Sequence, residues 1–487
     1  MPENLSSHLE TNIKTIKAFF HESVDLYTKP VLLCNFSCCI CMFEGLSSIE
    51  RLWVMMLDAL SREENKPKTP EALLRYILTQ TAIPMENSVV MTLEEMRVRL
   101  TSGASVILID GCDTAVVIST QSMQIRSVQE ASGEGNVRGS REGFTEPLRV
   151  NISLVRRLVR TGALTVTTMT AGAKTKTELA LLYDADLVPE NILNPLKERI
   201  QSANLPFLFD VGYLAPFIQR GAFSLFQSVG YTERPDTAAA KICEGKVIVL
   251  ANGSPFAMIV PYFFNENFQS MDDYSEKAYF ASFIRLLKYA AFFIAVLLPG
   301  VFVSIATFTP ELLPSELLYK VAASEQATPL PLFLEAVLVT ILLEIVREAG
   351  LRLPKPIGHS VSLVSALILG DAAIGAGLLG APIVVIAALT SICTFVVPAL
   401  YEPIIVLRLA LILAGGLLGP IGICALLFCA MCNACNLQLL GFVYTAPLAP
   451  MGKAFLRDGV LRRNWKVLAD ADFSVQDFKR KQQGKRL

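Results

Sequence analysis

Histidine, tryptophan and charge are all scarce in this chain. Its 487 residues include three histidines (His8, His21, His359), two tryptophans and only 18% charged positions. The histidines stand far apart, so no cluster offers a metal centre or a general base. There is also no strained Gly-x-Ser-x-Gly turn, no His-Glu-x-x-His pair and no phosphate-binding Gly-Lys-Ser/Thr loop. These gaps argue against an enzyme and against a bound cofactor. The formal net charge of -1 lacks the basic excess of a general nucleic-acid binder. The first residues, MPENLSSHLETNIKTIK, have no apolar stretch of the secretory type, so the front of the chain is expected on the cytoplasmic side. A disulfide framework is missing too. The eleven cysteines are odd in number and unevenly spaced. Cys34, Cys38, Cys39 and Cys41 crowd into LLCNFSCCICMF without a second ligand knuckle, which points to small apolar residues in a strand. Cys429, Cys432 and Cys435 share one apolar helix face and are read in the same way.

What the chain has in excess is apolar sequence: 52% of residues at a mean hydropathy of +0.47. It is unevenly spread. Up to about Tyr279 the chain carries ordinary charge and short alternating patterns. Between Pro356 and Gly452 the formal charges are Asp371, Glu402 and Arg408 alone. The fold class that follows is an α/β soluble N-terminal region of two subdomains followed by an all-α multi-span membrane domain. The expected divisions are 1–135, 136–280, 281–452 (about four to six membrane segments) and a basic cytoplasmic tail, 453–487.

In the front half, Val31 to Phe43 reads as one short strand, Ser47 to Leu60 as a helix, and SREENKPKTPE as a linker. Thr92 is placed to cap a helix running to Leu100. SVILIDGCDTAVVIS (105–119) and KVIVLANGSPFAMIVP (246–261) each read as two β-rich runs around a glycine turn, hinting at two related subdomains. Leu179 to Tyr183 reads as a strand and Pro189 to Ile200 as a helix. Between the hairpins, a Gly-rich charged loop runs into a basic helix. Its Arg138, Arg141, Glu142, Arg156 and Arg157 are candidates for a subdomain or subunit contact, with an anion site as the other reading.

In the rear half, Tyr289 to Pro310 holds 22 residues without a charge, enough for one crossing of about 20 residues. Pro331 to Glu348 carries Glu335 and Glu344, so it is a protein-buried span or a re-entrant piece whose carboxylates line an ion path or mark an amphipathic face. Further spans are expected over 357–377 and 382–400, and two more over 404–441, broken near Gly415-Gly416 and Gly419-Pro420. Glu402 and Arg408 are expected at the membrane interface. Basic residues at Arg347, Arg352 and Lys355 and in the tail place both on the cytoplasmic side. Gly358, Ser362, Ala366 and Gly370 recur every four residues, a spacing that lets membrane helices approach closely. They are the candidate pore or oligomer seam. Asp371, which follows directly, is either a polar lining for ions or water, or a turn residue at the membrane surface.

Six stretches in order resemble the GerA-type A subunits of bacterial spore germinant receptors. They are VRGSREGFTEPLRVNISLVRR (137–157), TERPD (232–236), EGKVIVLANGSPFAMIVP (244–261), DYSEKAYFASFIRLLKY (273–289), REAGLRLPKPIG (347–358) and YTAPLAP (444–450). The resemblance implies a multi-pass protein of the inner spore membrane that works with a transporter-like B subunit and a lipoprotein C subunit. It further implies homo-oligomerisation into a germinant-gated channel for monovalent cations. A SpoVAF-like sporulation-stage paralogue that amplifies cation release, or a membrane scaffold subunit without a pore, are the alternatives. Two positions depart from the family pattern. Ser140 stands where a proline commonly follows the loop glycine, and Asp371 stands where a glutamine is common.

Overall fold

The computed structural model describes residues 4–48, 67–79, 87–121, 133–136, 138–219, 224–352, 370–449 and 458–469. Most of the expected helix over 47–60 and its linker, the span from 357, and the tail beyond 469 lie outside them.

The first unit is built on a five-stranded antiparallel sheet: β1 (Leu26–Leu33), β2 (Phe36–Phe43), β3 (Asn87–Val90), β4 (Ser105–Ile109) and β5 (Ala115–Ile118), in the order β1-β2-β4-β5-β3. The cysteine-rich stretch is β2, near the middle of this sheet. Successive strand side chains point to opposite faces. Cys39, Cys41 and Phe43 therefore join the core under α1 (Leu9–Phe19) and α3 (Leu93–Thr101). Cys38, Ile40 and Met42 join the core under α2 (Pro70–Thr79) on the other side. Both faces are covered, which is why the stretch reads as a continuous apolar run. Where the sequence pattern suggests one strand from Val31 to Phe43, the chain turns back through Cys34 and Asn35, both at positive φ (50° and 71°). Two such residues close a tight hairpin, and asparagine tolerates that conformation better than most residues. The Thr92 cap is formed: its hydroxyl accepts the Glu95 N–H at 3.3 Å.

The second unit repeats the first. Its strands β6 (Leu164–Ala171), β7 (Thr177–Asp184), β8 (Gly230–Thr232), β9 (Val247–Ala251) and β10 (Ala257–Val260) lie in the order β6-β7-β9-β10-β8. The helices α4 (Leu148–Leu158) and α6 (Pro235–Cys243) share one face, and α5 (Glu190–Ser202) covers the other. Helix and strand order along the described chain, strand order in the sheet and helix placement all correspond. The hairpins β4-β5 and β9-β10 are the two that the sequence displays.

The rest of the described chain is mainly helical: α7 (Ala278–Phe308), α8 (Ser315–Ala327), α9 (Leu332–Arg352), α10 (Ala381–Val396) and α11 (Tyr401–Asn436). Among the described residues, two helices are long and apolar enough to cross a membrane, α7 and the stretch 398–436; α8 and α9, bent by 80°, could make a third span between them. The span expected over 357–377 lies largely outside the described residues, and the stretch 398–436 is two helical legs joined at Gly419. Helix α11 is interrupted at Gly419, whose φ of 65° and ψ of -151° are open only to glycine. The chain folds back there, so a Cβ on Gly422 would sit 2.6 Å from the Ala414 carbonyl oxygen. At about 1.5 Å per residue, each leg spans only about 26 Å. After α11, a short ribbon, β11 (Gln438–Leu439) with β12 (Phe442–Val443), returns to the second unit. Leu439, Leu440 and Phe442 enter the same core as α5.

Candidate functional site

The family-like words of the sequence lie far apart along the chain, and several meet at the joint between the second unit and the helices. The turn after β10 carries Glu266, buried, whose Oε2 accepts the Phe263 N–H at 2.8 Å. Its other oxygen accepts from Lys241 of α6 at 2.5 Å and from Lys246, which immediately precedes β9. Lys241 also reaches Glu244 at 3.0 Å. Burial works against a charged Glu266, yet the two ammonium groups hold its carboxyl down to about 2. Burial also works against Lys241, but two carboxylates keep it well above its ordinary value. Burial pushes Lys246 down, with the neighbouring Lys241 ammonium adding to it, although Glu266 and, at 3.8 Å, Glu244 pull the other way.

A few residues on, the start of α7 is tied to the C-terminal segment. Arg285, fully buried, donates to Asp273 at 2.6 Å and to the Asp458 carboxylate at 2.7 Å. Tyr274 donates its hydroxyl to Asp458 at 2.6 Å. Arg462 and Trp465 donate to the Tyr274 carbonyl at 3.3 and 3.0 Å. Residues 458–469 thus form a strap across the joint. A cavity of about 770 Å³ lies between α6, this turn, the α10–α11 connection and the strap. Its volume falls within the range of small-molecule pockets.

The loop arginines divide between two contacts. Arg156 (1% exposed) joins the two units: it donates to Asp25 at 2.8 and 2.9 Å, to Ser23 at 3.1 Å and to the Leu164 carbonyl at 2.8 Å, with Phe43 stacked against it. Arg157 pairs with Glu142, which holds the loop onto α4. Arg141 is exposed, and the backbone N–H of Arg138 donates to Asp272 at 3.1 Å. Ser140 supplies a hydroxyl that a proline would lack. Its hydroxyl accepts the Glu142 N–H at 3.2 Å, while its carbonyl accepts from Arg234 of the TERPD word at 2.7 Å.

Of the proposed seam, Gly358, Ser362 and Ala366 lie outside the described residues. Gly370 is half-buried and Asp371 is exposed, at the start of a helical turn over 370–375. The close helix contact that the structure does describe is elsewhere. A Cβ on Gly415 would lie 2.6 Å from the Gly300 carbonyl oxygen, and one on Gly300 would lie 2.7 Å from that of Leu411. Gly415, read from sequence as part of a break, is a crossing point of α7 and α11.

Arg408, which the sequence places at the membrane interface, is buried between α7, α10 and α11. Its Nε donates to the Ala295 carbonyl at 2.8 Å. That carbonyl has lost its helical partner because Pro299, four residues on, has no N–H. Its Nη2 donates to the Thr390 carbonyl at 3.2 Å and to the Thr394 hydroxyl. Proline and arginine are thus two halves of one arrangement, and no spacing in the sequence links them. Glu335 is also buried, accepting the Gly380 N–H at the head of α10 at 2.9 Å.

Comparison with known proteins gives the family. The model of the Bacillus/Clostridium GerA spore germination protein family matches residues 14–472. The chain is 32% identical to spore germination protein KA of Bacillus subtilis (strain 168), over 99% of this chain and 90% of that protein. It is 31% identical to spore germination protein B1 of the same organism, over 94% and 95%. It is 28% identical to stage V sporulation protein AF, also from Bacillus subtilis, over 72% and 70%. Among solved structures, it resembles the N-terminal domain of the A subunit of the Bacillus megaterium spore germinant receptor GerK3. That match is 22% identical with a TM-score of 0.40, covering 54% of this chain and 98% of that one. The family match spans both sheets, the joint and the helices, and the chain belongs to the GerA spore germination protein family.

Proposed function

We propose that this chain is the A-type subunit of a spore germinant receptor. In this reading it lies in the inner spore membrane with both paired α/β units and the C-terminal strap on the core side. It assembles with a transporter-like B subunit and a lipoprotein C subunit, and copies of it surround a path for monovalent cations. The observation that carries the reading is the family match across almost the whole chain, joined to an architecture in which the second unit is wired to apolar helices by buried ion pairs. The seam at Gly358, Ser362, Ala366, Gly370 and Asp371 is the proposed oligomer axis, with the exposed carboxylate of Asp371 favouring cations over anions.

The test is germination of spores lacking the gene, complemented by wild type or Asp371→Asn, with cation release followed directly, alongside conductance of purified protein in bilayers. The reading expects release and conductance from wild type and altered conductance from the variant. Unchanged conductance would remove Asp371 from the path. Germination supported by the α/β units on an unrelated membrane anchor would replace the channel with a scaffold.

A further inference from the structure

The cavity at the joint presents an imbalance that the charges around it do not resolve among themselves. Lys241 is held by Glu244 and Glu266. Lys288 bonds Ser270 at 3.0 Å and lies 3.7 Å from Asp273. Asp458 is paired with Arg285, and Arg234 with Asp236 at 2.6 Å. Glu134 differs. Its carboxylate accepts from the Thr232 hydroxyl at 2.7 Å and from the Glu233 backbone, and the Arg234 guanidinium nearby is bonded to Asp236 and to the Glu134 carbonyl instead; among the described residues no ammonium or guanidinium stands at ion-pair distance from this carboxylate. Desolvation is the main influence on this carboxyl and raises its pKa. Two residues on, the Asn136 side-chain N–H2 is buried without a hydrogen-bond partner. An unmet buried donor is costly to keep. Both residues line the cavity, together with the rings of Tyr231, Tyr262 and Trp465 and the apolar side chains of Ile259 and Val396.

One carboxylate without an ion-pair partner among the described residues, one unmet amide donor and aromatic walls do not suit a hard metal ion, which takes six or more oxygen ligands. They do not suit an anion either, because the nearby ammonium groups are already occupied. They complement an ammonium group carried on an apolar or aromatic body, with a hydrogen-bond acceptor beside it.

We propose that the cavity is a binding site for an organic amine, its ammonium seated on Glu134. This goes beyond the receptor reading and does not depend on it, since the site is a property of the chain alone. The source is either a free amine or the aminoethyl headgroup of a membrane lipid, and the two arms of the test separate them. Full-length protein in detergent would be titrated calorimetrically with 2-phenylethylamine and with its neutral counterpart 2-phenylethanol. A parallel titration would use vesicles with and without phosphatidylethanolamine. The expected result is saturable binding of the amine at least about tenfold tighter than the alcohol, a difference of about 1.4 kcal/mol. Glu134→Gln should abolish the preference and Glu134→Asp should retain part of it. A preference for the phosphatidylethanolamine vesicles that Glu134→Gln removes would support the site with a lipid as its source. The proposal fails if amine and alcohol bind alike, or neither binds, and the vesicles show no Glu134-dependent preference. It fails also if Glu134→Gln keeps the preference. The wild-type contrast between charged and neutral probe needs no variant, so a misfolded substitution leaves the test intact.

Discussion

At the scale of single residues, the structure turns several isolated charges into partnered ones. Arg156 is the clearest case. From the sequence it is one arginine of several in a basic helix, a candidate for a contact of unspecified kind. In the fold it is nearly fully buried and meets Asp25, a residue 131 positions away. Removing one partner of a buried pair leaves the other charge uncompensated, at a cost of about 3–5 kcal/mol. Asp25→Ala should therefore lower the thermal midpoint of the purified protein sharply. Replacing both partners, as Asp25→Leu with Arg156→Met, should cost much less, and equal losses for the single and double changes would show that the pair itself is not responsible.

Glu266 supports a prediction with pH. Its carboxyl is held down to about 2 in the fold against an ordinary value of 4.5. A depressed carboxyl contributes stability that is fully present above its unfolded value and is lost as pH falls toward the folded one. Unfolding midpoints should thus decline between about pH 5 and pH 2. Glu266→Gln should flatten that decline while lowering stability at neutral pH. A decline of unchanged steepness in the variant would assign the acid sensitivity to other groups.

At the scale of elements, the glycines of the apolar half have different jobs that look alike in the sequence. Gly419 breaks a helix because its backbone conformation requires it. Gly415, four residues earlier, lets α11 touch α7. Gly375 has nothing within 4 Å of where a Cβ would be. Gly415→Ala should cost about 1–3 kcal/mol through forced separation of the helices, seen as a lower melting temperature in detergent. Gly375→Ala should be close to neutral. Equal effects at the two positions would show that the crossing is not closely packed in the folded protein. The same scale explains why the first hairpin is hidden in the sequence: LLCNFSCC contains no glycine, and its turn rests on Cys34 and Asn35 adopting a conformation that glycine usually supplies.

At the scale of the molecule, the front half is a duplicated α/β unit, and among the described residues its second copy is linked to the apolar helices through the turn after β10, whose Asp273 pairs with Arg285 of α7. The joint is closed by a segment from the far end of the chain. Asp458 bonds Arg285, Tyr274 and Gln269, so a single carboxylate and its backbone bridge α7, the turn and the strap. Asp458→Ala should release the strap and leave Arg285 without one of its two carboxylates. Limited proteolysis should then cut near residues 270–277 faster than in wild type, with the α/β units remaining resistant. An unchanged digestion pattern would mean that the remaining contacts suffice to hold the joint.

Much of this organisation was legible in the residues themselves. The collapse of charge after Pro356 separated a soluble-type half from an apolar one, because burying charge in an apolar medium is costly wherever it occurs. Alternation and glycine turns marked the hairpins β4-β5 and β9-β10, and the family words marked the lineage. These are local properties, carried by neighbours in the chain. What the tertiary structure alone decided is which distant groups meet. Asp25 finds Arg156, Arg408 replaces the N–H that Pro299 lacks, Gly300 faces Gly415, and Glu134 lines a cavity with no ion-pair partner among the described residues. Each of these depends on contacts between residues tens to hundreds of positions apart, and a pairing energy between two groups leaves no periodic trace around either one.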